Sequence, residues 1–158
     1  MVSKIILPLS VLVLWCSCLV TCENAIIEDC GSVDGSIVKV DVAGCENLDR
    51  CPLKKGLNAT LTATFTSNVN SNSLKAVVHG QIGPISSRFI LPNPNACTSG
   101  VACPIKPNES YTYVLNIFVK SSYPRLNVGI KFELQDDQGK DVICALIPAK
   151  IVNKSYTN

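Results

Sequence analysis

One pattern constrains this chain more than any other: strict two-residue alternation of apolar and polar side chains. Leu57, Ala59, Leu61, Ala63 and Phe65 fall on one side of a run, and Asn58, Thr60, Thr62, Thr64 and Thr66 on the other. Successive side chains of an extended strand point to opposite faces, so such a run buries one face and wets the other. The same period recurs at Leu126, Val128, Ile130, Phe132 and Leu134, and again at Tyr111, Tyr113, Leu115, Ile117 and Val119. Shorter versions occur at Val38, Val40 and Val42, at Leu74, Ala76 and Val78, and at Ile85, Ser87, Phe89 and Leu91; a nearly continuous apolar run extends from Val142 to Val152. Turn residues separate these seven segments. They include Asn68 to Asn72, Gly83-Pro84, and Asp136-Asp137-Gln138-Gly139, which reads as a hairpin turn. No long amphipathic helix interrupts them. The expectation is an all-β, antiparallel sandwich or barrel forming one domain.

The N-terminus sets the compartment. Lys4 is the only charge before Glu23, and an apolar run from Ile5 to Val20 follows it, broken by Pro8, Ser10 and Ser17. This is the layout of a secretory signal peptide at 1–22, and the run falls short of the about 20 apolar residues of a membrane span. The expected mature domain is 23–158. It retains Cys30, Cys45, Cys51, Cys97, Cys103 and Cys144. An even cysteine set in an exported chain reads as three disulfides, with the pairing left open. Zinc ligation is disfavoured, because the cysteine spacers are long and His79 is the sole histidine. Asn58, Asn108 and Asn153 each begin an N-glycosylation sequon. Without Lys4, 13 of the 14 Lys and Arg residues face 12 Asp and Glu, a formal charge of +1. That near-neutral balance gives no reason to expect a nucleic-acid partner.

Catalytic chemistry is not apparent. His79 alternates with Lys75, Val77 and Gln81, opposite Leu74, Ala76 and Val78, and so reads as a surface histidine. A nucleophile–base–orienter set has no other candidates once the cysteines are paired. Asp136-Asp137 belongs to a turn, and Asp29, Asp34 and Asp41 lack calcium-loop spacing. The expectation is a non-enzyme with no cofactor and no metal. The inward faces carry no charge on the strong segments, and two readings of them stand open. Alternation is satisfied by a filled core, which dense interior packing favours, and equally by sheets that splay around an apolar ligand. Tyr123-Pro124 is likewise a turn or the lip of such a pocket.

Several segments, taken in order, carry a resemblance: DCGSVDG at Asp29–Gly35, TFTSN at Thr64–Asn68, KAVVHG at Lys75–Gly80, CPI at Cys103–Ile105, LQDD at Leu134–Asp137 and IPAKIV at Ile147–Val152. With the six cysteines, they make the chain resemble the Niemann–Pick type C2 proteins of the lipid-recognition (ML) domain family, from about Asp29 to Val152. The resemblance implies an immunoglobulin-like two-sheet β-sandwich of about seven strands. It implies disulfides Cys30–Cys144, Cys45–Cys51 and Cys97–Cys103. It places ligand-binding residues at Val42, Phe89, Tyr113, Val119, Tyr123 and Pro124, and makes Tyr123-Pro124 an entrance feature. Leu61, Ala63, Phe65, Val128, Ile130, Phe132 and Leu146 would be further lining or core. The implied function is binding and transfer of a sterol or other small apolar lipid, secreted or in the endolysosomal lumen, by a monomer that hands its cargo to a membrane or membrane-protein acceptor. The alternatives are an extracellular carrier of fatty acids or semiochemicals, and a lipid-sensing immune co-receptor module. Phe132 and Ala145 depart from the family pattern, standing where vertebrate sterol carriers have tryptophans.

Overall fold

The computed structural model describes residues 27–154 with the exception of residue 47. The expected signal peptide at 1–22 and the first residues of the expected mature domain lie outside the described residues. Nine strands and one 3-10 turn follow in order: β1 (Glu28–Asp29), β2 (Gly35–Val42), β3 (Cys51–Lys54), β4 (Asn58–Ser67), β5 (Lys75–Ile82), β6 (Ile85–Phe89), the turn Ala96–Thr98, β7 (Ser110–Phe118), β8 (Asn127–Gln135) and β9 (Asp141–Val152). They form two sheets. One has the order β1-β9-β8-β5-β6 with β3 also on β9; the other has the order β2-β4-β7. Every pairing is antiparallel except β3 with β9. The result is the immunoglobulin-like sandwich implied above.

The seven alternating segments are β2 and β4 through β9. The two additional strands share one edge of β9, β1 against Ala145 and Leu146, and β3 against Ala149 to Val152. With two and four residues they are too short to show a period, and β3 contains Pro52.

Register decides which faces are inward. Leu61, Ala63 and Phe65 of β4 oppose Leu115, Tyr113 and Tyr111 of β7. Phe132 of β8 sits between Val78 of β5 and Ala145 of β9. Phe65, Tyr113, Phe132, Leu74, Ile105, Leu134 and Ile143 are almost wholly buried and make the centre of the core. Two sequence-based placements need correction. The register of β2 shifts between Ile37 and Lys39, so Val38 is left 61% exposed while Ile37, Val40 and Val42 face β4 neighbours on the inward side. Leu146 lies opposite Lys131 on the outer face of β9, not in the interior; its inward neighbours are Ala145 and Ile147.

The disulfides are Cys30–Cys144, Cys45–Cys51 and Cys97–Cys103. The first spans 114 residues and ties the chain before β2 to β9; a closure of that length contributes about 4–5 kcal/mol in the chain-entropy model. The second pins the β2–β3 connection, and the third pins the crossing from β6 to β7. Gly35 is required by a close approach: a Cβ there would lie 2.6 Å from the Thr66 carbonyl oxygen and 2.8 Å from Cγ1 of Val142. Asn58, Asn108 and Asn153 are exposed.

Candidate functional site

The interior is not filled along its whole length. At the end remote from the Phe65–Phe132 core, a cavity of about 70 Å³ remains between the sheets. One sheet contributes Leu53, Val78, Phe89, Val128, Ile130, Ile147, Ala149 and Ile151; the other side is Val42, Ala59, Leu61, Ile117 and Val119. All are apolar, so the space holds nothing to bind a charge or a metal. Alanine at 59 and 149 contributes to the void, because short side chains from facing sheets cannot meet across the about 10 Å between them.

Each wall residue is positioned by backbone pairing. Phe89 is held at the end of β6 opposite Val78, and its ring lies over Gly80, where a Cβ would come within 2.8 Å of the ring. Val119 follows β7 and prolongs its ladder: its N–H donates to the Leu57 carbonyl at 2.9 Å, and its carbonyl accepts from Gly56 N–H at 2.7 Å. Tyr123 closes a turn from Lys120, with its N–H donating to that carbonyl at 3.2 Å. It brings its ring edge-on to Phe89, with centroids 6.2 Å apart.

Outside this aromatic pair lies a second, surface hollow of about 510 Å³. Phe89, Ile117, Tyr123, Val128 and Ile151 line both spaces and form the partition between them. Pro124 faces the outer hollow, together with Ile90, Phe118, Arg88 and Lys120. Ile90 is 96% exposed and Phe118 55%.

The six residues expected at the site therefore separate into three positions. Val42, Phe89, Val119 and Tyr123 line the inner cavity, and Pro124 lines only the outer hollow. Tyr113 is fully buried beyond the cavity, its ring stacked on Phe132 with centroids 5.8 Å apart and planes within 7°. Burial raises its phenol pKa above the ordinary tyrosine value. Of the further residues, Leu61, Val128 and Ile130 line the cavity, and Ala63, Phe65 and Phe132 belong to the solid core. Leu53, Ala59, Ile117, Ile147, Ala149 and Ile151 also line it and were not singled out from sequence. For Ala59 and Ile117, phase on their strands was the available signal; on β9 the nearly continuous apolar run hid the phase of Ile147, Ala149 and Ile151, and Leu53 had none.

The polar groups lie elsewhere. On the outer face of the larger sheet, Glu133 is nearly buried, with Oε1 2.7 Å from Lys131 Nζ and Oε2 3.1 Å from His79 Nδ1. Glu133, Asp141 and Cys144 converge there, but the Cys144 sulfur is bonded to Cys30. Asp136 serves the hairpin turn: its Oδ1 accepts from the N–H groups of Gln138 and Lys140, each at 2.9 Å. His79 thus pairs with Glu133 and Asp136 closes the turn, while Asp137 Oδ2 accepts from Asn72 N–H at 3.1 Å.

Comparison with known proteins agrees with this architecture. A family profile described as the ML domain matches residues 24–151. The NPC intracellular cholesterol transporter 2 of Danio rerio is 42% identical over 134 residues, covering 84% of this chain and 89% of its own. The NPC intracellular cholesterol transporter 2 homolog a of Drosophila melanogaster is 39% identical over 142 residues, covering 88% and 96%. Among solved structures, a Niemann-Pick type C2 protein from Japanese carpenter ant superposes with a TM-score of 0.76 at 27% identity, covering 80% of this chain and 99% of that one. A sandwich with an apolar cavity between its sheets and this extent of similarity establish that the chain belongs to the ML-domain family.

Proposed function

We propose that this chain binds a sterol between its two sheets and transfers it, without covalent chemistry, in the extracellular fluid or the endolysosomal lumen. The observation that carries this reading is the wholly apolar cavity behind the Phe89–Tyr123 pair. The names of the relatives as cholesterol transporters support the ligand class. Burying apolar surface supplies about 25 cal/mol per Å², so every 100 Å² of ligand covered is worth about 2.5 kcal/mol.

The cavity is small for this task. Sites for molecules of this size usually measure about 300–1,000 Å³, against about 70 Å³ here. Loading therefore requires the sheets to separate at this end. Such a motion breaks no ladder hydrogen bonds, because those run within each sheet. It costs side-chain contacts, which the ligand restores. Entry passes between Phe89 and Tyr123 from the outer hollow, and the exposed Ile90 and Phe118 beside it present an apolar surface to an acceptor membrane or membrane protein.

Equilibrium binding of a fluorescent sterol tests the site. Phe89→Ala and Val119→Ala are each expected to weaken binding at least tenfold, about 1.4 kcal/mol, and undiminished binding by folded variants would overturn the assignment. The narrowness of the cavity favours a second reading, an extracellular carrier of fatty acids or semiochemicals, since a thin chain demands less separation of the sheets. Mass spectrometry of lipids that co-purify with the secreted protein decides between the two: fatty acids alone, with no competition by sterol, would establish the second.

A further inference from the structure

The inner cavity offers a ligand only apolar walls, while the side chains outside its mouth include charges of a single sign. A polar group taken into the cavity would lose water without gaining a hydrogen bond, so the polar end of an amphiphile stays outside the Phe89–Tyr123 pair, in the outer hollow. The charged side chains lining that hollow are Arg88 and Lys120, and no Asp or Glu accompanies them. Ile151 lines the cavity and the outer hollow, and it also borders a further surface hollow where Arg125 and Lys150 stand, again without an acid.

These four cations are not neutralised from within the described residues. The ion pairs there are Lys39–Asp41, His79–Glu133 and Lys131–Glu133. Four acids sit at the opposite end of the sandwich. Asp34 and Glu109 meet the far end of β4, where their carbonyls accept from Asn68 and Ser67 N–H. Asp136 and Asp137 occupy the β8–β9 hairpin at that same end. Glu46, on the β2–β3 connection, lines a separate hollow at the β2 edge. A chain with a formal charge of only +2 therefore concentrates positive charge around its mouth. A cleft lined by one sign of charge above low-dielectric walls focuses its field on the opposite sign. A guanidinium also matches a carboxylate or sulfate with paired N–H donors.

Resting on the reading that an apolar lipid fills the cavity, we propose that Arg88 and Lys120 hold an anionic group on the outward end of that lipid, so that the chain selects anionic amphiphiles over neutral ones. The anion is the carboxylate of a fatty acid or the sulfate of a conjugated sterol; the shared chemistry is one negative group on one apolar body.

Direct binding of radiolabelled probes in vesicle-free buffer at about pH 7, where a carboxylate is ionised, tests this with two matched pairs: oleate with oleyl alcohol, and cholesterol sulfate with cholesterol. Wild type is expected to bind the anionic member of a pair about fivefold more tightly. The preference should narrow as ionic strength rises from about 0.01 to about 0.15 M, because screening weakens exposed charge pairs and leaves the neutral probes untouched. Both cations are exposed, so the double variant Arg88→Gln/Lys120→Gln spares the core; a melting curve confirms its folding, and it is expected to lose the preference. Preference within the sterol pair supports the proposal with a sterol body, and preference within the acyl pair supports it with a fatty-acid body. Equal binding within both pairs, or a preference that survives in the double variant, overturns the proposal and leaves the apolar-lipid reading intact. Absence of binding by all four probes overturns both.

Discussion

The two ends of the sandwich interior are built from the same alternating pattern and reach opposite outcomes. At the closed end, Phe65, Tyr113, Phe132, Leu134, Leu74, Ile105 and Ile143 pack to almost complete burial. At the open end, Ala59, Leu61, Val119, Ile147 and Ala149 face one another across a void. The difference lies in side-chain size and in what crosses the end. Aromatic rings reach from one sheet to the other at the closed end. The segment carrying Ala96, Val101 and Ile105, tied by Cys97–Cys103, adds buried residues there. At the open end the β7–β8 crossing supplies one ring, Tyr123, which meets Phe89 at its edge, and the smaller Val119. A sandwich can thus hold its fold with one end and its ligand with the other.

That contrast is open to direct attack. Phe65→Ala at the closed end should cost about 3–5 kcal/mol in urea unfolding, as expected for an aromatic removed from a packed core. Phe89→Ala at the open end should leave stability within about 1.5 kcal/mol, because its ring is only partly buried, while ligand affinity falls at least tenfold. Comparable stability losses from both would mean that the two ends are energetically alike.

Overpacking provides a gentler test. Ala76→Leu, where Ala76 is buried opposite Leu134, should destabilise by about 1–3 kcal/mol. Ala149→Leu places the same added carbons into the cavity, so stability should stay within about 1 kcal/mol and ligand binding should weaken. Thermal melts of the two variants beside sterol titrations read both effects.

The smallest expected effects concern pH. Asp29 is held below the ordinary carboxylate range, first by the Ser32 N–H and then by that of Gly31, which donate to its Oδ1 at 2.8 and 2.9 Å. Its contribution is present above the unfolded-state pKa and is lost as pH falls through the lower folded value. Asp141 is raised, chiefly by burial, with Glu133 adding repulsion and Gln135 opposing the shift. Its contribution is present below the unfolded-state pKa and is lost as pH rises through the higher folded value. Comparing unfolding at about pH 7 and about pH 3, Asp141→Asn should move the balance of stability towards neutral pH and Asp29→Asn towards acid. Shifts of the same sign would contradict these assignments.

Much of the fold was legible because burial of one strand face imposes a period of two. Thus β4, β7 and β8 could be read residue by residue. Local irregularity defeated the same logic in β2, where the register shift turns Val38 outward, and length defeated it in β1 and β3. At β9 the four residues Val142 to Ala145 are all buried and the register is irregular beside them, so periodicity could not show that Leu146 points away from the interior. The resemblance placed Val42, Phe89, Val119 and Tyr123 at the site, and these line the cavity; Tyr113 lies in the packed core beyond it and Pro124 on the outer hollow.

Taken alone, the amino-acid order determined the number of cysteines, the all-β class and the inward side chains of the long strands, because each is a local consequence of residue type and spacing. Whether those inward side chains meet was a tertiary outcome. It depends on which residues from distant strands face one another: Tyr113 meets Phe132 and closes one end, while Ala59 and Ala149 leave a void at the other. Packing is a property of pairs across the gap between sheets, and no single strand carries that information.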